Sequence, residues 1–302
     1  MPGIDLPFPQ EAFGFDPRKK RATRQSLARF PQELQQLAQK RWYVRAYLQA
    51  LPVAEIGVPI YAPKLTRKMR DLKVKNIIYP ANNGLLIHIY PDLVDERDYY
   101  IPIEPSLVVD VEDKMRSVEP KLLDWAERIG QAEENKRRKV FLQALDRICT
   151  LHPGTDNGQI HVTPVQMQGL KYQMLRDKLQ LGILQPLLSD PYIEDISCSG
   201  VGNIFIEHSI LKSLKTSVTF PTMDDLDRFV VWLGERIKRP VTVRHPIVDS
   251  VLPDGSRINI VYGRDIAKRG SNFTIRKFAE EPLSIVKLIE FGTMDYMMAA
   301  YL

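Results

Sequence analysis

The chain has 302 residues, is 44% hydrophobic and 26% charged, and carries a net charge of +5 with a pI near 9.0. That composition is ordinary for a globular protein of one to three domains and excludes wholesale disorder. Its two cysteines, Cys149 and Cys198, form no CxxC pair, so zinc-ribbon and disulfide-framework classes are excluded and a reducing compartment is expected.

Residues 1–50 carry nine Lys/Arg against four Asp/Glu, a surplus equal to the net charge of the whole chain. The leader, 1–25, reads as a flexible basic tail; Arg18, Lys19, Lys20, Arg21 and Arg24 make it either a solvated segment or a contact for an acidic surface. It lacks a basic stretch followed by an apolar one, so it is no secretory signal, and no apolar run approaches the roughly 20 residues that span a bilayer. Residues 31–51 show helical spacing, with Leu34, Leu37, Trp42 and Leu48 available for burial. Strands are expected over 76–79, 85–90 and 99–103, the first two joined at Asn82-Asn83-Gly84. Pro102 and Pro105 predict that the third closes its sheet, because proline donates no ladder hydrogen bond. A helical region is expected from Pro120 to about Cys149, with 133–139 as its solvated face.

Pro153 to Gly158 is the best linker, and Thr163-Pro164 supplies the N-cap and first position of a helix running towards Gly182. Strands follow at 193–199, 203–207 and 215–220, then a helix over 222–238 buried through Leu226, Phe229, Val230, Leu233 and Ile237. Two further strands, 257–262 and 271–277, precede a helix beginning near Pro282. The pattern is that of an α+β protein of two mixed domains: leader 1–25, first domain 26–152, linker 153–162, second domain 163–280, and a linker with a starting helix over 281–302. Because 295–302 is an apolar half-helix without a C-cap, the natural chain is expected to continue past Leu302.

The five histidines, His88, His152, His161, His208 and His245, show no metal-ligand spacing and are expected to be structural. Gly200-Val201-Gly202 precedes a strand instead of a helix and lacks the third glycine of a dinucleotide fingerprint, so it reads as a turn. Glu194 and Asp195 lead into a strand. The arginines carry more. Residues 236–277 hold ten Lys/Arg against three Asp/Glu, of which Lys238, Arg239 and Lys268 are ordinary surface charge. Arg257 and Arg276 alternate with apolar residues in neighbouring strands, an arrangement that places two guanidinium forks on one face and suits phosphate oxygens. Yet the chain has no Gly-Lys dipeptide and so no phosphate loop of the G-x-x-x-x-G-K-[ST] type. Aromatic residues are sparse in this basic stretch, with only Tyr262 and Phe273, so nucleic acid is not an expected partner.

DPYIEDISCSGVGNIFIEH (190–208), PDGSRINI (253–260) and RGSNFTIRKF (269–278) resemble the N-terminal half of the type II/type IV secretion ATPases, hexameric motors of protein secretion and of pilus and archaellum assembly. The resemblance covers residues 163–302, with an archaeal form of the last motif; residues 76–105 more weakly resemble the extra N-terminal domain of archaeal members. It implies that 163–280 is the PAS-like domain preceding a RecA-like motor. It further implies that Arg257, Arg276 and Arg269 reach phosphates of ATP, with Mg²⁺, held by that motor domain. The implied partners are the motor domain itself, other copies in a hexamer and a polytopic membrane platform protein. The implied location is the cytoplasmic face of the membrane. An adapter that only docks such a membrane assembly is the alternative. The motor's own motifs are absent from these 302 residues, so they are not expected to hydrolyse or retain ATP alone.

Overall fold

The computed structural model describes residues 2–8, 26–95, 97–152, 158–278, 284–290 and 292–302. Most of the predicted leader, 9–25, the linker centre, 153–157, and residues 279–283 with Pro282 lie outside these. Strands are β1 Gly3–Ile4, β2 Ile60–Tyr61, β3 Ile77–Pro80, β4 Leu86–Tyr90, β5 Tyr99–Ile103, β6 Cys149–Thr150, β7 Ile160–His161, β8 Ile193–Cys198, β9 Gly202–His208, β10 Lys212–Phe220, β11 Ile247–Val251, β12 Arg257–Val261 and β13 Asn272–Arg276. Helices are α1 Gln32–Lys40, α2 Trp42–Ala50, α3 Val53–Ile56, α4 Glu112–Leu122, α5 Ala126–Gln131, α6 Glu134–Ile148, α7 Pro164–Leu179, α8 Gln185–Ser189, α9 Met223–Arg236, α10 Ile285–Glu290 and α11 Tyr296–Tyr301. The α+β class is as expected, and among the described residues no helix is long and apolar enough to cross a membrane.

One sheet runs through both predicted strand groups in the order β11-β12-β13-β8-β9-β10-β5-β4-β3-β2, with β1 also on β10. Its neighbours are antiparallel except β2–β3 and β10–β5. The latter pairs Lys215 with Tyr99 and Thr216 with Tyr100, joining the two groups. Pro102 therefore does not close the sheet. The parallel ladder ends at Tyr100, short of the proline, so β5 sits between β4 and β10 with Pro102 opposite Ile87. Residues 2–8, placed by the sequence in the leader, lie on the sheet: Gly3 pairs with Thr219, and Phe8 is buried against Tyr47 and Tyr90.

Side-chain alternation explains the layering. Ile78, Leu86, Ile101 and Ile103 face α1 and α2, whose Leu34, Val44, Tyr47 and Leu48 are buried there. The predicted single helix over 31–51 is broken at Arg41, whose extended backbone turns α1 into α2. Ile77, Tyr79, Ile87 and Tyr100 face the other way and share a core with Ile196, Ile206, Ile258, Ile260, Phe273 and Ile275, closed by the stripe Leu226, Phe229, Val230 and Leu233 of α9. Thr163 caps α7 in a reciprocal capping box with Gln166. Thr222 caps α9, but Asp225 is too short to return the bond to the backbone and accepts from the Thr222 hydroxyl instead, at 2.7 Å.

The helices α4, α6 and α7 enclose a further core of Val118, Phe141, Leu145, Ile148, Leu170 and Met174. Helix begins at Glu112, upstream of the predicted start at Pro120; the proline falls in the last turn of α4, where it forfeits the bond its amide would give to the Arg116 carbonyl, and the chain passes into a 3-10 turn at Leu123. A buried clamp ties α7 to the end of β5. Arg176 donates to Glu104 at 2.9 Å, Ser106 donates to the same carboxylate, and Tyr172 donates to its other oxygen. Arg176 and Glu104 are only 8% and 5% exposed, so removing one charge strands the other. Arg176→Met is expected to destabilise the fold by about 3 kcal/mol in urea unfolding; a change within error would show that solvent reaches Glu104 and replaces the clamp.

Candidate functional site

The strands β11, β12, β13, β8 and β9 bury one face and leave the other open, a pattern written in their alternating burial. Two devices set the register. The Pro-Asp-Gly-Ser turn closes the β11–β12 hairpin: Gly255 lies at φ 86, Asp254 accepts from the Ser256 amide and hydroxyl, and Leu252 and Ser256 bond through their backbones. In β12 and β13 the apolar residues Ile258, Ile260, Phe273 and Ile275 must face the core, which turns Arg257, Asn259, Thr274 and Arg276 outward.

Arg257 and Arg276 stand directly opposite each other in this register, as the alternation predicts. Two like charges at such a site repel. The next residue across the sheet relieves this: Asp195 on β8 is paired in register with Arg276 and accepts from its Nε at 3.0 Å and a terminal nitrogen at 3.4 Å. The hydrogen bonds and charge of Asp195 raise the Arg276 pKa above its already high ordinary value. The Arg276 side chain is nevertheless 78% exposed. Arg257 is exposed and has no ion-pair partner within 4.0 Å among the described residues. Both arginines line a shallow depression of about 490 Å³ together with Asp249, Val251, Asn259 and Thr274. A pair of solvent-facing guanidinium groups, one free and one held by a single carboxylate, can receive a multiply charged anion by exchange.

Arg269 is not brought to this pair. It is exposed in the loop before β13, at the end opposite Arg276. The strand between them spans roughly 14 Å at about 3.4 Å per residue. Its backbone packs instead on the β8–β9 turn, where a side chain at Gly200 would meet the Arg269 carbonyl at 2.8 Å and Gly200 itself lies at φ 129.

Of the histidines, His88 and His208 are internal while His152, His161 and His245 are exposed; both cysteines are buried. His208 accepts at Nδ1 from the amides of Ile210 and Leu211, and its Nε2–H faces the Tyr79 hydroxyl at 3.3 Å. Tyr79 and Tyr100 donate to one oxygen of Asp190 at 2.6 and 2.8 Å, and the amide of Tyr192 donates to the other. His88 lies between the Tyr47 hydroxyl and the side-chain oxygen of Asn76, each at 2.8 Å; Asn76 donates to two backbone carbonyls, which identifies that oxygen as the acceptor. Burial lowers the pKa of His88 to about 3 and that of His208 to about 4, so both are neutral at physiological pH. Burial pushes both free thiols up to about 11, which leaves them unreactive. Among the described residues no group of three or more His, Cys, Asp or Glu side chains is placed to hold a metal ion. The sequence reading missed Asp190 and Arg176; Asp190 stands out as a charge after the apolar Leu187-Leu188, whereas Arg176, beside Asp177 and Lys178, carries no local signal of burial.

No family model matches the chain. Curated relatives from Methanocaldococcus jannaschii are similar to it. Uncharacterized protein MJ0900 is 35% identical over 288 residues, covering 89% of this chain and 51% of that protein. Uncharacterized protein MJ1288 is 33% identical over 180 residues, covering 58% of this chain and 68% of that protein. The chain thus spans about half the length of MJ0900, the relative it matches over most of its own length. Among solved structures, the VirB11 ATPase from the Brucella suis type IV secretion system in complex with sulphate superposes at a TM-score of 0.31 with 20% identity, over 37% of this chain and 35% of that one; a likeness at this level carries no argument about function. The identity to MJ1288 across two thirds of that protein shows that the chain belongs to the family of MJ1288.

Proposed function

We propose that this chain is the nucleotide-sensing and docking region of a secretion or pilus-assembly ATPase of archaeal type. In this reading a RecA-like motor domain holds ATP and Mg²⁺, and Arg257 and Arg276 reach its phosphates from the open sheet face. The motor would act as a hexamer and couple hydrolysis to a polytopic membrane platform protein. The sequence motifs at 190–208, 253–260 and 269–278 support the family reading. The observation that carries the site is the cross-strand placement of Arg257 beside Arg276 on an exposed face. Such groups stabilise charge on a phosphoryl group in transfer, and closure onto them would report the nucleotide state. The Asp195–Arg276 pair is a suitable resting state, because exposed ion pairs contribute little and yield readily to a phosphate. Arg269, at the other end of β13, is left outside the site unless a separate phosphate approaches that loop.

In a protein carrying this region together with a phosphate loop, Arg276→Ala is expected to cut ATP turnover by about tenfold or more, while the melting temperature stays unchanged. Turnover near the wild-type level would sink the role. A second reading, an assembly adapter with no nucleotide role, is favoured by the one fact that Arg276 already has a carboxylate partner. It predicts that capture of a platform-protein loop by this chain is indifferent to ATP.

A further inference from the structure

The helical layer carries a second built feature, remote in sequence from the arginine pair. The short 3-10 turn Leu123–Trp125, α5 and α6 leave between them a cleft of about 520 Å³. Trp125, Arg128, Val140, Gln143, Asp146 and Arg147 line it. Val140, Gln143 and Arg147 share a face of α6 because they are three and seven residues apart. The guanidinium carbons of Arg128 and Arg147 lie 5.2 and 6.0 Å from the Trp125 ring centroid. Both arginines are exposed, and neither has an ion-pair partner within 4.0 Å among the described residues. The one carboxylate in the lining, Asp146, is engaged by Lys171 at 2.5 Å. In the same turn as Trp125, Leu123 is 74% exposed. Lys136 is paired with Glu133 at 2.8 Å, and residues 123–148 as a whole hold six Lys/Arg against five Asp/Glu, so the positive character of the cleft rests on Arg128 and Arg147 themselves.

Trp and Arg are the residue types that anchor protein interfaces, and an indole flanked by two uncompensated guanidinium groups offers an apolar seat between two carboxylate receptors. We propose that the Trp125 cleft docks an acidic segment of a partner protein, with an apolar side chain on the indole and flanking carboxylates on Arg128 and Arg147. Charge complementarity selects an acidic occupant. A nucleic acid is disfavoured by the single stacking ring and by the carboxylate in the lining. The inference stands apart from the role proposed for Arg257 and Arg276.

Selection of short random displayed peptides on the full chain, with counter-selection on Arg128→Glu/Arg147→Glu, tests it. The expected winners carry Asp or Glu around one Phe, Leu or Trp. They should bind the wild type about tenfold or more tighter than the double variant. They should bind Arg257→Ala/Arg276→Ala as tightly as wild type. Arg128→Lys/Arg147→Lys keeps the charge and guards against misfolding; it should bind more weakly than wild type because the planar fork is lost. Failure to enrich, enrichment of neutral or basic peptides, or equal affinity for wild type and the charge-reversed variant would overturn the proposal. So would tight binding of a single-stranded oligonucleotide that is lost in the same variant.

Discussion

Lowering the pH from about 6.5 to 4.5 is expected to cost this fold on the order of 4 kcal/mol, before most carboxylates titrate. His88 and His208 are fully buried and held neutral, with pKa values lowered to about 3 and about 4. In the unfolded chain each protonates near 6.5. Between those values the unfolded state binds protons that the folded state refuses, so each histidine tilts stability by about 1.4 kcal/mol per pH unit. The contribution is complete above 6.5 and is lost as pH falls towards the folded values. The hydrogen bonds oppose protonation further: Nδ1 of His208 already accepts from two amides, and Nδ1 of His88 accepts from Tyr47. Urea midpoints measured across this range should fall steeply with acid. A flat profile would mean that water reaches one or both rings.

Asp190→Ala is expected to destabilise the fold by about 4 kcal/mol, because each buried donor left without a partner costs about 1–3 kcal/mol. Three donors depend on this one carboxylate: the hydroxyls of Tyr79 and Tyr100 and the amide of Tyr192. Burial raises both tyrosine pKa values well above 10, so they remain donors. Tyr79 and Tyr100 belong to β3 and β5, while Asp190 precedes β8, so the network spans the region joined by the two-residue β10–β5 ladder. Chemical denaturation of Asp190→Ala beside Asp190→Asn gives the measure. Asparagine retains an acceptor and should recover part of the loss. Equal and small effects would show that water satisfies the tyrosines.

Local chemistry explains what the sequence made legible. Asn83 and Gly84 adopt positive φ at 58 and 72, as the turn between β3 and β4 requires. Thr163-Pro164 starts α7, and the spacing of Leu226, Phe229, Val230 and Leu233 declares the buried face of α9. The pairing of Arg257 with Arg276 followed from the same alternation that buries Ile258 and Ile275. The strand β11 went unread because Ile247 and Val251 lie on its open face, at 56% and 60% exposure, and the sheet edge imposes no apolar periodicity. The union of the strand groups was also invisible: a parallel contact over two residue pairs leaves no pattern in either segment. Nor could composition separate Arg269 from Arg276, since only the extended path of β13 sets them at opposite ends.

Comparing Asp195→Asn with Arg276→Ala in ATP turnover, in a protein that joins this region to its phosphate loop, tests the central claim most directly. Both substitutions break the same ion pair. If Arg276 serves nucleotide phosphates, Asp195→Asn keeps or raises turnover while Arg276→Ala lowers it about tenfold or more. If the pair only steadies the sheet, the two variants behave alike, and that result would contradict the account.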